Sequence, residues 1–235
     1  MKHFLMVGAS QGLGKVTQDL FEQNEIKTTV LSRSGKNEIS VGTVRIDLSA
    51  PTEIRYLVRE ILENSGKISG ACFFQRARPN PSSGVLENEI DVSIQSTKAI
   101  VEEAMTFLDD GCDHSFLFTS SVNSTRISPS AGLDYHIVKA GLDITAKYYA
   151  EQFGRLGVRF NTVNPGSFIK PNHSGYYCNE GVKYADLVSC SPLKRATKAL
   201  DVAELIFFLS SPKASAITGQ NITIDSGASL KWPEA

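Results

Sequence analysis

Tyr135 and Lys139 stand four positions apart in LDYHIVKAGLDITAKYYAEQF, a segment whose apolar spacing predicts a long helix. Side chains at i and i+4 share a helix face, so a phenol and an ammonium would lie one turn apart. A free Tyr titrates near about 10, a poor base and a moderate acid at neutral pH. An ammonium beside it stabilises the phenolate. Such a Tyr can give a proton to a carbonyl oxygen as hydride reaches the carbon, or run the reverse. The same pair occurs in helices that do no chemistry, so its meaning depends on its surroundings.

A second group with chemical potential is VGASQGLG, which puts Gly8, Gly12 and Gly14 between the strand-like HFLMV and the helix-like LGKVTQDLFEQN. Glycines there let the backbone turn tightly and approach a pyrophosphate, which then rests on the helix amino end. Any tight turn in an α/β protein can supply such a trio. The next strand-like run, KTTVLS, ends in Ser32, followed by Arg33 and Ser34. A carboxylate at this place would hold a ribose 2′-hydroxyl and repel a 2′-phosphate, whereas a guanidinium grips the phosphate bidentately. The expectation is NADP(H) over NAD(H). TVRID ends in Asp47 and Leu48; taken alone, Asp47 is turn chemistry ahead of a helix.

These residues need a scaffold. Strand-like ISGACFF, HSFLFTS, VRFNTVN and NITID alternate with helix-like PTEIRYLVREILENS, ENEIDVSIQSTKAIVEEAMTFL, the Tyr–Lys segment and LDVAELIFFLSS. That alternation predicts a Rossmann-type doubly wound parallel sheet of about seven strands with helices on both faces. Ligands bind such sheets at the carboxyl ends of the strands, where the groups above fall. No linker, repeat or low-complexity tract interrupts the 235 residues, so one domain, 1–235, is expected. The net charge of −1 gives no case for nucleic acid. No apolar stretch approaches the ~20 residues of a membrane span, and MKHFLMV is too short for a secretory core. Cys72, Cys112, Cys178 and Cys190 show no metal spacing and read as free thiols, so no metal and a cytoplasmic setting are expected.

Together the residues resemble the short-chain dehydrogenase/reductase family, whose first turn reads T-G-x-x-x-G-x-G; Val7 stands where the Thr would be. The resemblance extends through Y-x-x-x-K, through Asn164-Pro165-Gly166, and through a C-terminal segment containing I-T-G-Q and D-S-G. It implies catalytic roles for Tyr135, Lys139 and the serine of FLFTSSVNS, mapped to Ser121 with Ser120 as the alternative. It implies cofactor contacts from Gly8, Ser10, Gln11, Gly12, Leu13, Gly14, Ser32, Arg33, Ser34, Asp47, Leu48, Gln75, Arg76, Pro165, Gly166 and Phe168, with Tyr135 and Lys139 at the nicotinamide end. It also implies a small carbonyl or alcohol substrate, a substrate lid at about 167–195, and a homodimer or homotetramer built on the two long helices.

Three departures surround the nicotinamide end. The family's N-N-A-G is replaced by Gln75-Arg76-Ala77-Arg78, so two guanidiniums end a core strand. Either they meet a neighbouring acid, or at least one helps bind an anion in the cleft. Ser93 stands where an Asn normally helps position the lysine, and Gln95 faces away; Lys170 replaces a frequent Thr. His136 and His173 read as exposed helix or loop histidines. The lid carries Tyr176, Tyr177, Tyr184, Asn172 and Lys170, which with the arginines favours a polar or anionic substrate. The leading expectation is an NADP(H)-dependent carbonyl reductase. The alternative is a catalytically weak or inactive cofactor-binding or regulatory protein on the same fold.

Overall fold

The computed structural model describes residues 2–34, 42–77, 85–111, 113–169 and 182–230. In chain order these form β1 (His3–Val7), α1 (Gly12–Gln23), β2 (Lys27–Ser32), β3 (Thr43–Arg45), α2 (Pro51–Ser65) and β4 (Gly70–Phe73). Next come α3 (Val85–Ile90), a π-helical turn (Asp91–Gln95), α4 (Ser96–Ala104), β5 (His114–Thr119) and α5 (Leu133–Phe153). The last elements are β6 (Val158–Pro165), β7 (Phe168–Ile169), α6 (Val182–Cys190), β8 (Thr197–Lys198), α7 (Ala199–Leu209) and β9 (Asn221–Ile224).

Seven strands make one sheet in the order β3-β2-β1-β4-β5-β6-β9, and every pairing in it is parallel. The expected Rossmann-type sheet is present, with a two-stranded β7–β8 pair beside it. Strand side chains alternate between faces, and here both faces are buried. Phe4 and Met6 of β1 enter one apolar cluster, with α1 and α7; Leu5 and Val7 enter the other, with α2, α4 and α5. Aromatic rings lock the second cluster: Phe116 stacks on Phe160 at 4.9 Å, and Phe73 meets Phe118 edge-on at 5.1 Å. Near-continuous apolar strands are what a sheet covered on both sides requires.

One expected element changes pitch along its length. The single helix predicted over 87–108 is interrupted by the π-helical turn at Asp91–Gln95 and ends in a 3₁₀ turn, Met105–Phe107. A π turn leaves carbonyls without the usual amide four residues on. Two hydroxyls take them: Ser96 Oγ donates to Val92 O at 2.5 Å and Thr97 Oγ1 donates to Ser93 O at 2.7 Å. α6 and the β7–β8 pair occupy a stretch that reads as irregular in the sequence. No described helix is long and apolar enough to cross a membrane.

Candidate active site

The carboxyl ends of β1, β2, β4, β5 and β6 carry the residues singled out above. After β1 the chain turns at Gly8, whose φ of +78° is open to glycine at little cost and whose N–H donates to Leu31 O at 2.7 Å. A Cβ there would lie 2.7 Å from Gln75 N, so β1 and β4 close on each other only over a glycine. Gly12 also has a positive φ, +61°, yet a Cβ on it would meet nothing within 4 Å. The amino end of α1 is capped by no side chain. Unsatisfied N–H groups facing open space, with the dipole of a 12-residue helix behind them, suit an anion. A dinucleotide pyrophosphate therefore fits this turn, with Ser10 and Gln11 exposed beside it and Leu13 and Gly14 buried beneath.

At the end of β2, Ser32 is buried and its Oγ accepts from Ser34 N at 3.1 Å. The tight turn leaves Arg33 exposed. Across from it, Asp47 accepts from Ser49 N and Ser49 Oγ, at 3.0 and 2.7 Å; these bonds hold its carboxyl below the ordinary range. Leu48 is buried behind it. Arg33 and Asp47 are near enough to interact electrostatically.

The catalytic candidates gather where α5 passes the ends of β5 and β6. Lys139 is 5% exposed and its Nζ donates to Thr119 O at 2.8 Å. Burial pulls its pKa down to about 8; Arg76 adds to that, while Glu89 and Asp143 oppose it. Lys139 Nζ lies 5.6 Å from the centre of the Tyr135 ring. Ser120 Oγ donates to the backbone oxygen of Lys139 at 2.9 Å, so that hydroxyl is engaged with the helix. Ser121 Oγ accepts from Asn123 N at 3.1 Å, which leaves its own O–H proton for another acceptor. Ser93, in the π turn, is 1% exposed; Gln95 is exposed.

The strand-end arginine meets a ring. Arg76 is exposed and its guanidinium carbon lies 4.8 Å from the centre of Tyr135, so it sits at the catalytic end of the cleft. Gln75 is buried; its Nε2 donates to Thr97 Oγ1 at 2.8 Å and its Oε1 is left without a partner. Arg78, Lys170, Asn172, His173, Tyr176 and Tyr177 lie outside the described residues, as do Cys112 and Cys178. Pro165 is buried, and Gly166 and Phe168 are partly exposed. Asn164 Nδ2 donates to Asp143 Oδ2 at 2.9 Å and to Ser124 Oγ at 3.0 Å, tying the end of β6 to α5.

Two residues of the site are not visible as such in the sequence. Glu89 carries no motif in the sequence, yet it is 9% exposed and close enough to Arg76 and Lys139 for their charges to act on it. Its spacing of one turn before Ser93 was the only available signal. His136 corrects an expectation: it is buried, not exposed. Its Nδ1 lies 2.8 Å from Gly132 O and its Nε2 accepts from Ser128 N at 3.1 Å, clamping the loop that leads into Tyr135. Among the described residues no group of three or more His, Cys, Asp or Glu could hold a metal ion. The described thiols, Cys72 and Cys190, are free.

Known proteins resemble this chain in sequence and fold. The family profile described as Enoyl-(Acyl carrier protein) reductase matches residues 8–229. Glucose 1-dehydrogenase of Gluconobacter oxydans is 24% identical, across 97% of this chain and 92% of its own. Short-chain dehydrogenase reductase 3b of Arabidopsis thaliana is 26% identical, across 99% and 97%. The ligand-free aldohexose dehydrogenase of Thermoplasma acidophilum superposes with a TM-score of 0.84 at 23% identity, covering 100% of this chain and 96% of that one. A match that runs from the first glycine turn to the D-S-G segment, on a parallel sheet of this order, makes the chain a member of the short-chain dehydrogenase/reductase family, oxidoreductases that use nicotinamide dinucleotides.

Proposed function

We propose that this protein interconverts a ketone or aldehyde and its alcohol using NADP(H), with Tyr135 as the proton donor. The observation that carries the proposal is the Tyr135 ring beside the enclosed ammonium of Lys139, with Ser121, at the end of β5, keeping a hydroxyl proton to give. In this reading the turn from Gly8 to Gly14, with Arg33, Asp47, Leu48, Gln75, Pro165, Gly166 and Phe168, holds the dinucleotide. A reduced nicotinamide supplies the hydride when bound. Ser121 donates to the substrate oxygen and fixes it, Tyr135 passes its proton to that oxygen, and Lys139 keeps positive charge against the phenol. Ser93 offers a short hydroxyl behind Lys139, and a water would have to span the remainder.

Arg33, exposed and with no acid in its own turn, supports preference for a 2′-phosphate. Arg76 over Tyr135 supports a polar or anionic substrate, in keeping with relatives named as sugar dehydrogenases. Enoyl reduction is disfavoured because family enzymes of that kind typically separate Tyr and Lys by seven positions, against four here. The long helices would join two or four copies. A second reading, a cofactor-binding protein without turnover, draws on the same Arg76, which crowds the ring that the chemistry needs.

Fluorescence titration with NADPH and with NADH tests the first step. Tight NADPH binding, weak NADH binding, and loss of that difference in Arg33→Ala are expected. A carbonyl screen should then yield turnover that falls at least about a hundredfold in Tyr135→Phe. Binding without turnover on any carbonyl would favour the second reading, and binding of neither dinucleotide would end both.

A further inference from the structure

Tyr135 has two cations against it, Arg76 at 4.8 Å and Lys139 at 5.6 Å from the ring centre. Like charges so placed repel, and Lys139 is shut away from water as well. Among the described residues its Nζ donates to the Thr119 carbonyl, which carries no countercharge. An enclosed ammonium needs an anion nearby.

The charged and titratable groups facing this place come from three elements. Arg76 follows β4. Asp134, Tyr135, Lys139 and Asp143 lie on α5, and Glu89 lies on α3, which packs against α5. Asp143 sits one turn beyond Lys139 and accepts from the Asn164 amide. Asp134 faces Glu89, whose charge it opposes. Glu89 is therefore the carboxylate whose field reaches both cations: it is 9% exposed and interacts with Arg76 and Lys139 alike. Among the described residues no direct ion pair joins it to either, so its pull acts at longer range than a salt bridge.

We infer that Glu89 is a positioning residue of the catalytic centre, its carboxylate holding Lys139 charged and both cations in place around the Tyr135 ring. The inference rests on the proton-donor reading of Tyr135 and Lys139 given above. Burial pushes the Glu89 carboxyl up, and Arg76 and Lys139 pull it back, so the carboxylate and the cations support one another's charge. Removing the carboxylate leaves Lys139 desolvated beside Arg76, and both influences favour the neutral amine.

The test uses the whole protein with isotope-labelled lysine, following the Nζ titration of Lys139 by NMR; Lys139→Met identifies the signal. The wild-type midpoint is expected near 8. Glu89→Gln should lower it by about one unit, and Glu89→Asp should restore most of that. Turnover of Glu89→Gln should drop severalfold at pH 8 and recover toward pH 6, where Lys139 regains its proton. An unchanged Lys139 midpoint in folded Glu89→Gln, or a loss equal at every pH, would overturn the inference. If Glu89→Gln does not fold, the reciprocal measurement decides: the Glu89 carboxyl, read by ¹³C NMR, should titrate higher in Lys139→Met than in wild type, and equal midpoints would overturn the inference. Absence of turnover on every carbonyl would count against the proposed function, while the two titrations would still decide the pairing.

Discussion

Gly8 and Gly12 share a turn and a positive φ, but a methyl group would meet different things at each. At Gly8 it would press on the backbone of Gln75, 2.7 Å away, and at Gly12 it would enter open space. Gly8→Ala should therefore cost roughly 2–4 kcal/mol of folding stability, from strain plus the enforced separation of β1 and β4. Gly12→Ala should cost only about 1 kcal/mol yet weaken dinucleotide binding, because the methyl would occupy the approach to the helix end. Urea unfolding and NADPH titration of both variants check the contrast; equal losses of stability would contradict it. Residues of this kind were legible because type and spacing alone specify them, as with the glycines and the four-residue step from Tyr135 to Lys139. His136 and Glu89 were not. A polar side chain on a helix is read as solvated unless a partner distant in sequence encloses it. Here the partners are Ser128 and Gly132 for one, Arg76 and Lys139 for the other. Arg76 was legible as a puzzle at a strand end, but its partner, the Tyr135 ring, belongs to another element 59 positions on.

α5 was readable in full, Leu133 to Phe153, because it has apolar periodicity, a glycine at each end and no interruption. The helix before β5 was readable in its span but not in its π turn, because its hydrophobic pattern runs straight through that turn. The hydroxyls that make that turn tolerable, Ser96 and Thr97, look in sequence like ordinary helix surface. α5 also carries more apolar surface than the monomer covers. Leu133, Ile137, Ile144 and Tyr148 are 73%, 44%, 63% and 61% exposed. At 100° per residue they fall within about 60° of one another, one stripe along the helix. An apolar stripe of this kind suits a self-complementary contact between copies. Gel filtration should give a mass of at least twice 25.6 kDa, and Ile144→Glu with Tyr148→Glu should shift it downward. Elution of the wild type as a monomer would contradict the proposed assembly.

At the scale of the whole molecule, the parallel sheet was legible because strands and helices alternate and the strands are apolar on both faces. The β7–β8 pair was not, two residues per strand being too few to carry a pattern. The buried ionisable groups also give the fold a pH profile. An unfolded Lys titrates near about 10.4 and Lys139 in the fold near about 8. Between those values the unfolded chain holds a proton that the folded chain has released, so stability rises with pH. Cys72 and Tyr149 act in the opposite sense, since burial pushes each up to about 12. The fold keeps their protons after the unfolded thiol and phenol have lost theirs, and stability falls above about pH 9. Urea unfolding should show a net gain of about 0.5 kcal/mol between pH 7.5 and 9, the Lys139 contribution being partly offset by Cys72, then a decline. In Lys139→Met only the decline should remain, and a wild type whose stability never rises over that interval would refute the account. Lys139 thus sets two optima that do not coincide. The alkaline buffer in which this protein would keep longest on the shelf is one in which its ammonium is largely neutral, so the best storage condition would be a poor assay condition.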